Sequence, residues 1–213
     1  MKFNQHYAIF DMDGTLVDSM QYWDQVCCDF IREQNIYEEG LMETINPMTF
    51  EQMIDYLNDR FGLHLSADEM FGRMRELMRE HYLHDVRIKP GVIRFLDRLA
   101  AQGIPMCVAS TTPTYLIELC LERLDLRKYF TFALSAEDVG KGKTEPDIYL
   151  TAAQRLGGKP EDTMVFEDAM QAGKTAKNAG FFVTAVYDEV SKFEWDAFKA
   201  FADCIVEDWQ TVE

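Results

Sequence analysis

The sequence predicts an α/β fold: a parallel sheet with helices on both faces, interrupted after its first strand by an all-helical insertion. Three observations predict it. A short apolar run at residues 7–10 is stopped by Asp11-Met12-Asp13-Gly14, as a buried strand ending in a charged turn would be. Residues 19–86 then follow helical spacing throughout, with no strand candidate among them. Beyond Lys89-Pro90-Gly91, helical and strand-like segments alternate, which is the pattern of a parallel sheet covered on both faces.

Within the insertion, Trp23, Val26, Cys27, Phe30 and Ile31 recur on one helical face. Met53, Ile54, Leu57 and Phe61 form a second such face, and Met70, Phe71, Met74, Leu77, Met78 and Tyr82 a third. Ser66-Ala67-Asp68-Glu69 has the Ser and Glu spacing of a capping box and marks the third helix start. After the insertion, residues 92–102 read as a helix closed by Gly103, and 104–109 as an apolar strand. Residues 115–126 are helical and 129–134 strand-like. A helix over 146–156 has Pro146 in its first turn and Gly157 at its end. A strand at 164–166, a helix over 171–179 ended by Gly180, and a strand at 182–187 complete the pattern. The implied domains are an α/β core of residues 1–17 and 88–213 and a helical insertion of residues 18–87, with natural hinges near 17–19 and 86–90.

Composition narrows the class of function. Hydrophobic residues make up 47% of the 213 and aromatics 13%, enough for a packed core. The formal net charge is -16, so nucleic acid and anionic membrane surfaces are repelled, although a small anion can still be held by local cations. No stretch approaches the ~18 consecutive apolar residues of a membrane helix. The five cysteines (Cys27, Cys28, Cys107, Cys120 and Cys204) form no Cys-x-x-Cys pair and lie among apolar neighbours. Buried thiols in a reducing cytoplasm are the expectation.

In open α/β sheets ligands bind beyond the carboxyl ends of the strands, so the polar residues following each strand are the candidates. Asp11, Asp13, Gly14 and Thr15 follow the first strand, and Ser110, Thr111 and Thr112 the next. Lys141-Gly142-Lys143 follows the third, and Glu167 and Asp168 the fourth. Taken singly, each has an ordinary reading: a solvated turn, a helix N-cap, a surface lysine, an acidic helix start. A calcium loop opening at Asp11 fails, because its sixth position is Leu16 and its twelfth Tyr22. Gathered on one edge, four carboxylates demand a compensating cation, and oxygen donors plus a substrate phosphate suit Mg²⁺.

The segment Phe10-Asp11-Met12-Asp13-Gly14-Thr15-Leu16-Val17-Asp18-Ser19 resembles the first motif of the haloacid dehalogenase superfamily. Val108-Ala109-Ser110-Thr111 is similar to the second, and Gly142-Lys143-Thr144-Glu145-Pro146-Asp147-Ile148-Tyr149 to the third. Val165-Phe166-Glu167-Asp168-Ala169 is similar to the fourth, and the order is that of the family. The helical insertion resembles the cap of the phosphoglycolate phosphatase and beta-phosphoglucomutase subfamily. The resemblance implies a Rossmann-like parallel-sheet core with an inserted all-helical cap domain, and a Mg²⁺-dependent phosphatase acting on a small phosphorylated substrate. It implies Asp11 as nucleophile, Asp13 as general acid and base, and Ser110, with the Thr111 backbone, as phosphoryl ligand. Lys143 would neutralise charge, and Asp11, Asp168 and the Asp13 carbonyl would hold Mg²⁺, with Glu167 in support. Thr15 is expected to be structural or to assist Asp13.

Asp13, Glu167 and Asp168 argue against a dehalogenase, which needs neither a second aspartate nor a metal. A phosphosugar mutase of the subfamily carries a His where this chain has Trp23, and an Arg in the cap loop that residues 45–50 lack. Hydrolysis is therefore favoured over the mutase and over a catalytically idle binder. Gln21, Trp23, Asn46 and Thr49 are the candidates for substrate specificity, although Trp23 also shares a stripe with Val26 and Phe30 and has core packing as its competing reading. Arg73, Arg75 and Arg79 fall on a solvated helix face, and the methionines between Met42 and Met78 read as core filler. A monomer or weak homodimer, with no nucleic acid or membrane partner, is expected.

Overall fold

The structure, a computed structural model, describes residues 4–36, 38–45, 48 and 50–212. It divides into two compact units: Met1–Met20 with Val86–Glu213, and Gln21–Asp85. In chain order the elements are β1 (Tyr7–Phe10), β2 (Val17–Asp18), α1 (Met20–Glu33), α2 (Leu41–Ile45), α3 (Phe50–Phe61) and α4 (Ala67–His84). There follow β3 (Arg87–Ile88), α5 (Val92–Ala101), β4 (Met106–Ser110), α6 (Thr114–Arg123), β5 (Ala133–Ser135) and α7 (Ala136–Val139). The chain ends with α8 (Asp147–Leu156), β6 (Thr163–Glu167), α9 (Met170–Asn178), β7 (Phe182–Val186), α10 (Trp195–Lys199) and β8 (Cys204–Val206).

The first unit is a six-stranded sheet in the order β5-β4-β1-β6-β7-β8, parallel at every pairing, with the Rossmann-like architecture that the sequence predicts. Because helices cover both faces, the central strands are buried on both sides and mostly apolar, not alternating. Ile9, Cys107, Ala109 and Val165 pack on one face with Tyr149, Phe181 and Phe198. Phe10 packs on the other, stacked on Phe166 at 4.4 Å between ring centroids and edge-on to Phe95. Trp209 tilts against both Phe95 and Phe166. Burying each such ring contributes about 1.5–3 kcal/mol, so the strand ends rest on a rigid aromatic floor.

Two local readings are corrected. The strand expected over 129–134 begins later, at Ala133, because residues 127–129 form a 3₁₀ turn in which the Phe130 N–H donates to Arg127 O. The Arg127 guanidinium closes that turn by donating to Phe130 O at 2.5 Å. The sixth strand, β8, carries no strand signal of its own: three residues long, at the sheet edge, it buries only Val206 and pairs with β7 through position. The helical insertion is entered and left through a two-residue antiparallel ladder, Val17 opposite Ile88 and Asp18 opposite Arg87, which belongs to the first unit.

The second unit contains α2 and α3, almost all of α1, and α4, where Ser66 and Glu69 form the predicted reciprocal cap. Val26, Phe30 and Ile31 are the buried stripe of α1. Met53, Met70, Met74 and Met78 are buried, as core filler should be. Arg73 is engaged by Glu33 and Glu76 on an exposed face. All five cysteines are free. No helix among the described residues is long and apolar enough to cross a membrane.

Candidate active site

The chain leaves β1 toward β4 and β5 on one side and later reaches β6, β7 and β8 on the other. A crevice opens beyond the strand ends at such a switch point. Asp11 is the first residue past β1, and its N–H donates to Phe166 O at 2.9 Å, which sets it level with the end of β6. The chain then turns sharply, with Met12 O accepting from Leu16 and Val17 N–H at 2.9 and 3.1 Å. Gly14 sits in the turn at φ +74°, and a Cβ there would lie 2.3 Å from Asp168 Oδ2. Glycine is required both by the left-handed backbone and by the close approach of Asp168.

Lys143 reaches this point from the loop between α7 and α8. Its Nζ donates to Asp11 Oδ1 at 2.5 Å and to Glu167 Oε1 at 2.6 Å. The Tyr149 hydroxyl donates to the same Glu167 oxygen at 2.6 Å. Asp11, Glu167 and Asp168 are all buried, and each offers a carboxylate oxygen within 4.8 Å of the others. Burial raises the Asp11 carboxyl to about 7; Lys143 opposes the rise, while Glu167 and Asp13 add to it. Burial, and then the charges of Asp11, Glu167 and Asp188, hold Asp168 well above the ordinary carboxylate range, with Lys89 opposing. Burial works against the Lys143 ammonium too, but Asp11 and Glu167 outweigh it and hold its proton more firmly than in free lysine.

Three clustered carboxylates against one ammonium leave excess negative charge in a site removed from water, a costly state unless a cation shares it. Glu167 Oε2 is buried with no hydrogen-bond partner. Both observations, with the all-oxygen donor set, fit a hard divalent cation such as Mg²⁺.

Asp13 is held differently. Its Oδ1 accepts from Ser19 Oγ at 2.6 Å and its Oδ2 from Thr112 Oγ1 at 2.7 Å. Two aspartates two residues apart thus face separate surroundings: Asp11 an ammonium and two carboxylates, Asp13 two hydroxyls. Ser110 is the last residue of β4 and Glu167 the last of β6, each on the strand and not beyond it. Ser110 Oγ accepts the Thr112 N–H at 3.1 Å, while the Thr111 side chain is exposed. The Thr15 hydroxyl meets Asp168 Oδ1 at 3.5 Å, and its carbonyl accepts from Trp209 Nε1 at 3.0 Å. On α1, Gln21 is exposed and Trp23 half-buried. Asn46 and Thr49 lie outside the described residues.

Five participants carried no assigned role in the sequence reading. Thr112 and Ser19 are small hydroxyl residues beside recognised motifs, and proximity along the chain was their one available signal. Tyr149 stands six residues after Lys143, where helical spacing reads as core. Lys89 and Asp188 pair at 2.8 Å, and Lys89 Nζ also donates to Tyr187 O at 2.9 Å; 99 residues separate the pair, so no local pattern links them.

The chain is similar to known proteins. The sequence profile of haloacid dehalogenase-like hydrolases matches residues 8–186. A Drosophila melanogaster protein named "Probable pseudouridine-5'-phosphatase" is 30% identical over 190 residues, covering 85% of this chain and 81% of the relative. The phosphorylated carbohydrates phosphatase of Thermotoga maritima is 30% identical over 177 residues, covering 81% of each chain. Among solved structures, a Thermotoga maritima protein named as a candidate beta-phosphoglucomutase superposes with a TM-score of 0.75 at 26% identity, covering 96% of this chain and 95% of that one.

Proposed function

Because this chain belongs to the haloacid dehalogenase-like hydrolases, as a phosphatase of that family, we propose that it hydrolyses a small phosphorylated metabolite with Mg²⁺ through an aspartyl-phosphate on Asp11. The observation that carries the reading is the Lys143 bridge between Asp11 and Glu167, set in a buried carboxylate cluster, with the Asp13 side chain held by two hydroxyls. A carboxylate can attack an anionic phosphoryl group only after charge is cancelled, and Lys143 stands on the nucleophile to do so. Asp11, Asp168 and the Asp13 carbonyl would hold the ion, with Glu167 in support. Mg²⁺ supplies charge neutralisation and orientation of the phosphoryl oxygens when bound.

In the first half-reaction an Asp11 oxygen bonds to phosphorus as the bond to the leaving oxygen breaks, and Asp13 gives that oxygen a proton. Ser110, with the Thr111 backbone, takes up the phosphoryl oxygens. In the second, Asp13 removes a proton from water, the water oxygen bonds to phosphorus, and the bond to Asp11 breaks to release inorganic phosphate. The helical unit would act as a cap, with Gln21, Trp23, Asn46 and Thr49 as specificity residues. A sugar phosphate is the substrate class supported by the relatives named above. A cytoplasmic monomer or weak homodimer is the proposed setting, to which the free thiols lend support.

The test is phosphate release from sugar phosphates, hexitol phosphates, phosphoglycolate and nucleoside monophosphates, with Mg²⁺, with chelator, and with Asp11→Asn. Release that requires Mg²⁺ and falls at least about 10³-fold in Asp11→Asn is expected. Release unchanged in Asp11→Asn overturns the nucleophile. Conversion of β-glucose 1-phosphate to glucose 6-phosphate would assign the mutase instead.

A further inference from the structure

Tyr149 is fully buried in the first turn of α8, where its ring joins the hydrophobic core, yet its hydroxyl ends on a charged group of the active site. Core packing does not require that hydroxyl, since a phenylalanine would fill the same volume. The Tyr149 O–H and the Lys143 ammonium both donate to Glu167 Oε1, each at 2.6 Å, while Oε2 of the same carboxylate is buried without a partner. Two donors on one oxygen fix how the Glu167 carboxylate is turned. The Tyr149 ring also lies under Lys143, with Nζ 5.8 Å from its centroid, within cation–π range.

We propose that Tyr149 is a positioning residue for phosphoryl transfer, its hydroxyl pinning Glu167 so that Glu167 holds the Lys143 ammonium on Asp11. The inference rests on the phosphatase reading and deepens it. Without the hydroxyl, Glu167 is free to offer Lys143 either oxygen, and Nζ, 2.5 Å from Asp11 Oδ1, loses its fixed second anchor. A lysine so released still carries its charge but delivers it in a spread of geometries, and a displacement near 1 Å at a reacting centre is enough to slow it by orders of magnitude. The ground-state substrate does not need that placement, so turnover should suffer more than binding.

The experiment is steady-state hydrolysis of p-nitrophenyl phosphate by the full chain with saturating Mg²⁺, comparing wild type, Tyr149→Phe, Glu167→Gln and the double variant, together with Mg²⁺ titration by calorimetry. The expected result for Tyr149→Phe is a kcat about tenfold lower, with KM and Mg²⁺ affinity within about twofold of wild type. In the Glu167→Gln background the same substitution should cost less than about twofold, because the residue through which it acts has been changed. A kcat within about threefold of wild type overturns the proposal, as does an equal loss in the Glu167→Gln background or a tenfold change in Mg²⁺ affinity. Asp11→Asn separates this from the underlying reading: if it abolishes turnover while Tyr149→Phe is silent, the phosphatase reading stands and the positioning role falls.

Discussion

The Thr112 hydroxyl donates to Asp13 Oδ2 at 2.7 Å across 99 residues of sequence, and Ser19 donates to its other oxygen. A carboxylate held by two hydroxyls keeps a fixed orientation, which a proton-transferring group needs. Removing one donor should therefore cost turnover. Thr112→Val, nearly isosteric, should lower kcat about tenfold, as expected for one hydrogen bond to a charged group, and Thr112→Ser should restore most of it. Wild-type kcat in Thr112→Val would remove Thr112 from the mechanism.

Gly14 tests the approach of Asp168 to the catalytic turn. Alanine there puts a Cβ 2.3 Å from Asp168 Oδ2 on a backbone at φ +74°. The strain is about 1–2 kcal/mol, and Asp168 must move besides. Gly14→Ala should fold with a lowered melting temperature, bind Mg²⁺ more weakly, and lose at least about 100-fold in kcat. Calorimetric Mg²⁺ affinity equal to wild type would contradict the placement of Asp168.

The raised carboxyls make two linked pH predictions. Asp11 is lifted from 3.8 to about 7, so in the metal-free protein it keeps a proton that the unfolded chain has already lost. Its contribution to stability is fully present below about 4 and is lost as pH rises through about 7. The melting temperature in chelator should thus fall between pH 5 and pH 8, and Mg²⁺ should flatten the trend. Protons compete with the ion for the same oxygens, so Mg²⁺ affinity should drop by up to about tenfold per pH unit below about 7. A chelated protein whose melting temperature rises with pH across this window would contradict the carboxylate cluster.

Lys89 and Asp188 form a buried pair, with side chains 13% and 5% exposed. Asp188 Oδ1 also accepts the Val190 N–H at 2.9 Å. Lys89→Met leaves a buried unpaired carboxylate and should destabilise by about 3–5 kcal/mol. Adding Asp188→Asn should recover more than half of that loss, measured by chemical denaturation. A single variant as stable as wild type would mean that water enters the pair.

Trp209 joins the C-terminal turn to the catalytic turn through Nε1 and Thr15 O. Gly91 packs so closely beneath it that a Cβ there would come within 2.5 Å of the Trp209 carbonyl carbon. Trp209→Phe keeps a ring against Phe95 and Phe166 but leaves the Thr15 carbonyl without its donor. A loss of about 1–3 kcal/mol is expected, or a fall of several degrees in melting temperature for a chain of this size. An unchanged melting temperature would show that the indole donor is dispensable.

By itself the sequence determined the α/β class, the helical insertion after β1, and the residues whose chemistry is carried by type and local spacing. Asp11, Asp13 and Gly14 are legible because three positions in one turn state their own requirement. Ser110, Glu167 and Asp168 are legible because each lies at or just beyond a strand, and parallel strands must end on one edge; Lys143 arrives from the loop after α7. Only the tertiary structure decided that Thr112 and Ser19 serve Asp13, that Thr15 faces Asp168, that Tyr149 ends on Glu167, and that Lys89 finds Asp188. These pairings join residues whose individual signals are bland, a core tyrosine or a hinge lysine, and a hydrogen bond depends on distance and direction between atoms, which side-chain type along a chain does not encode. The edge strand β8 escaped for a related reason: half-exposed and three residues long, it owes its conformation to the open edge of β7 and not to any periodicity of its own.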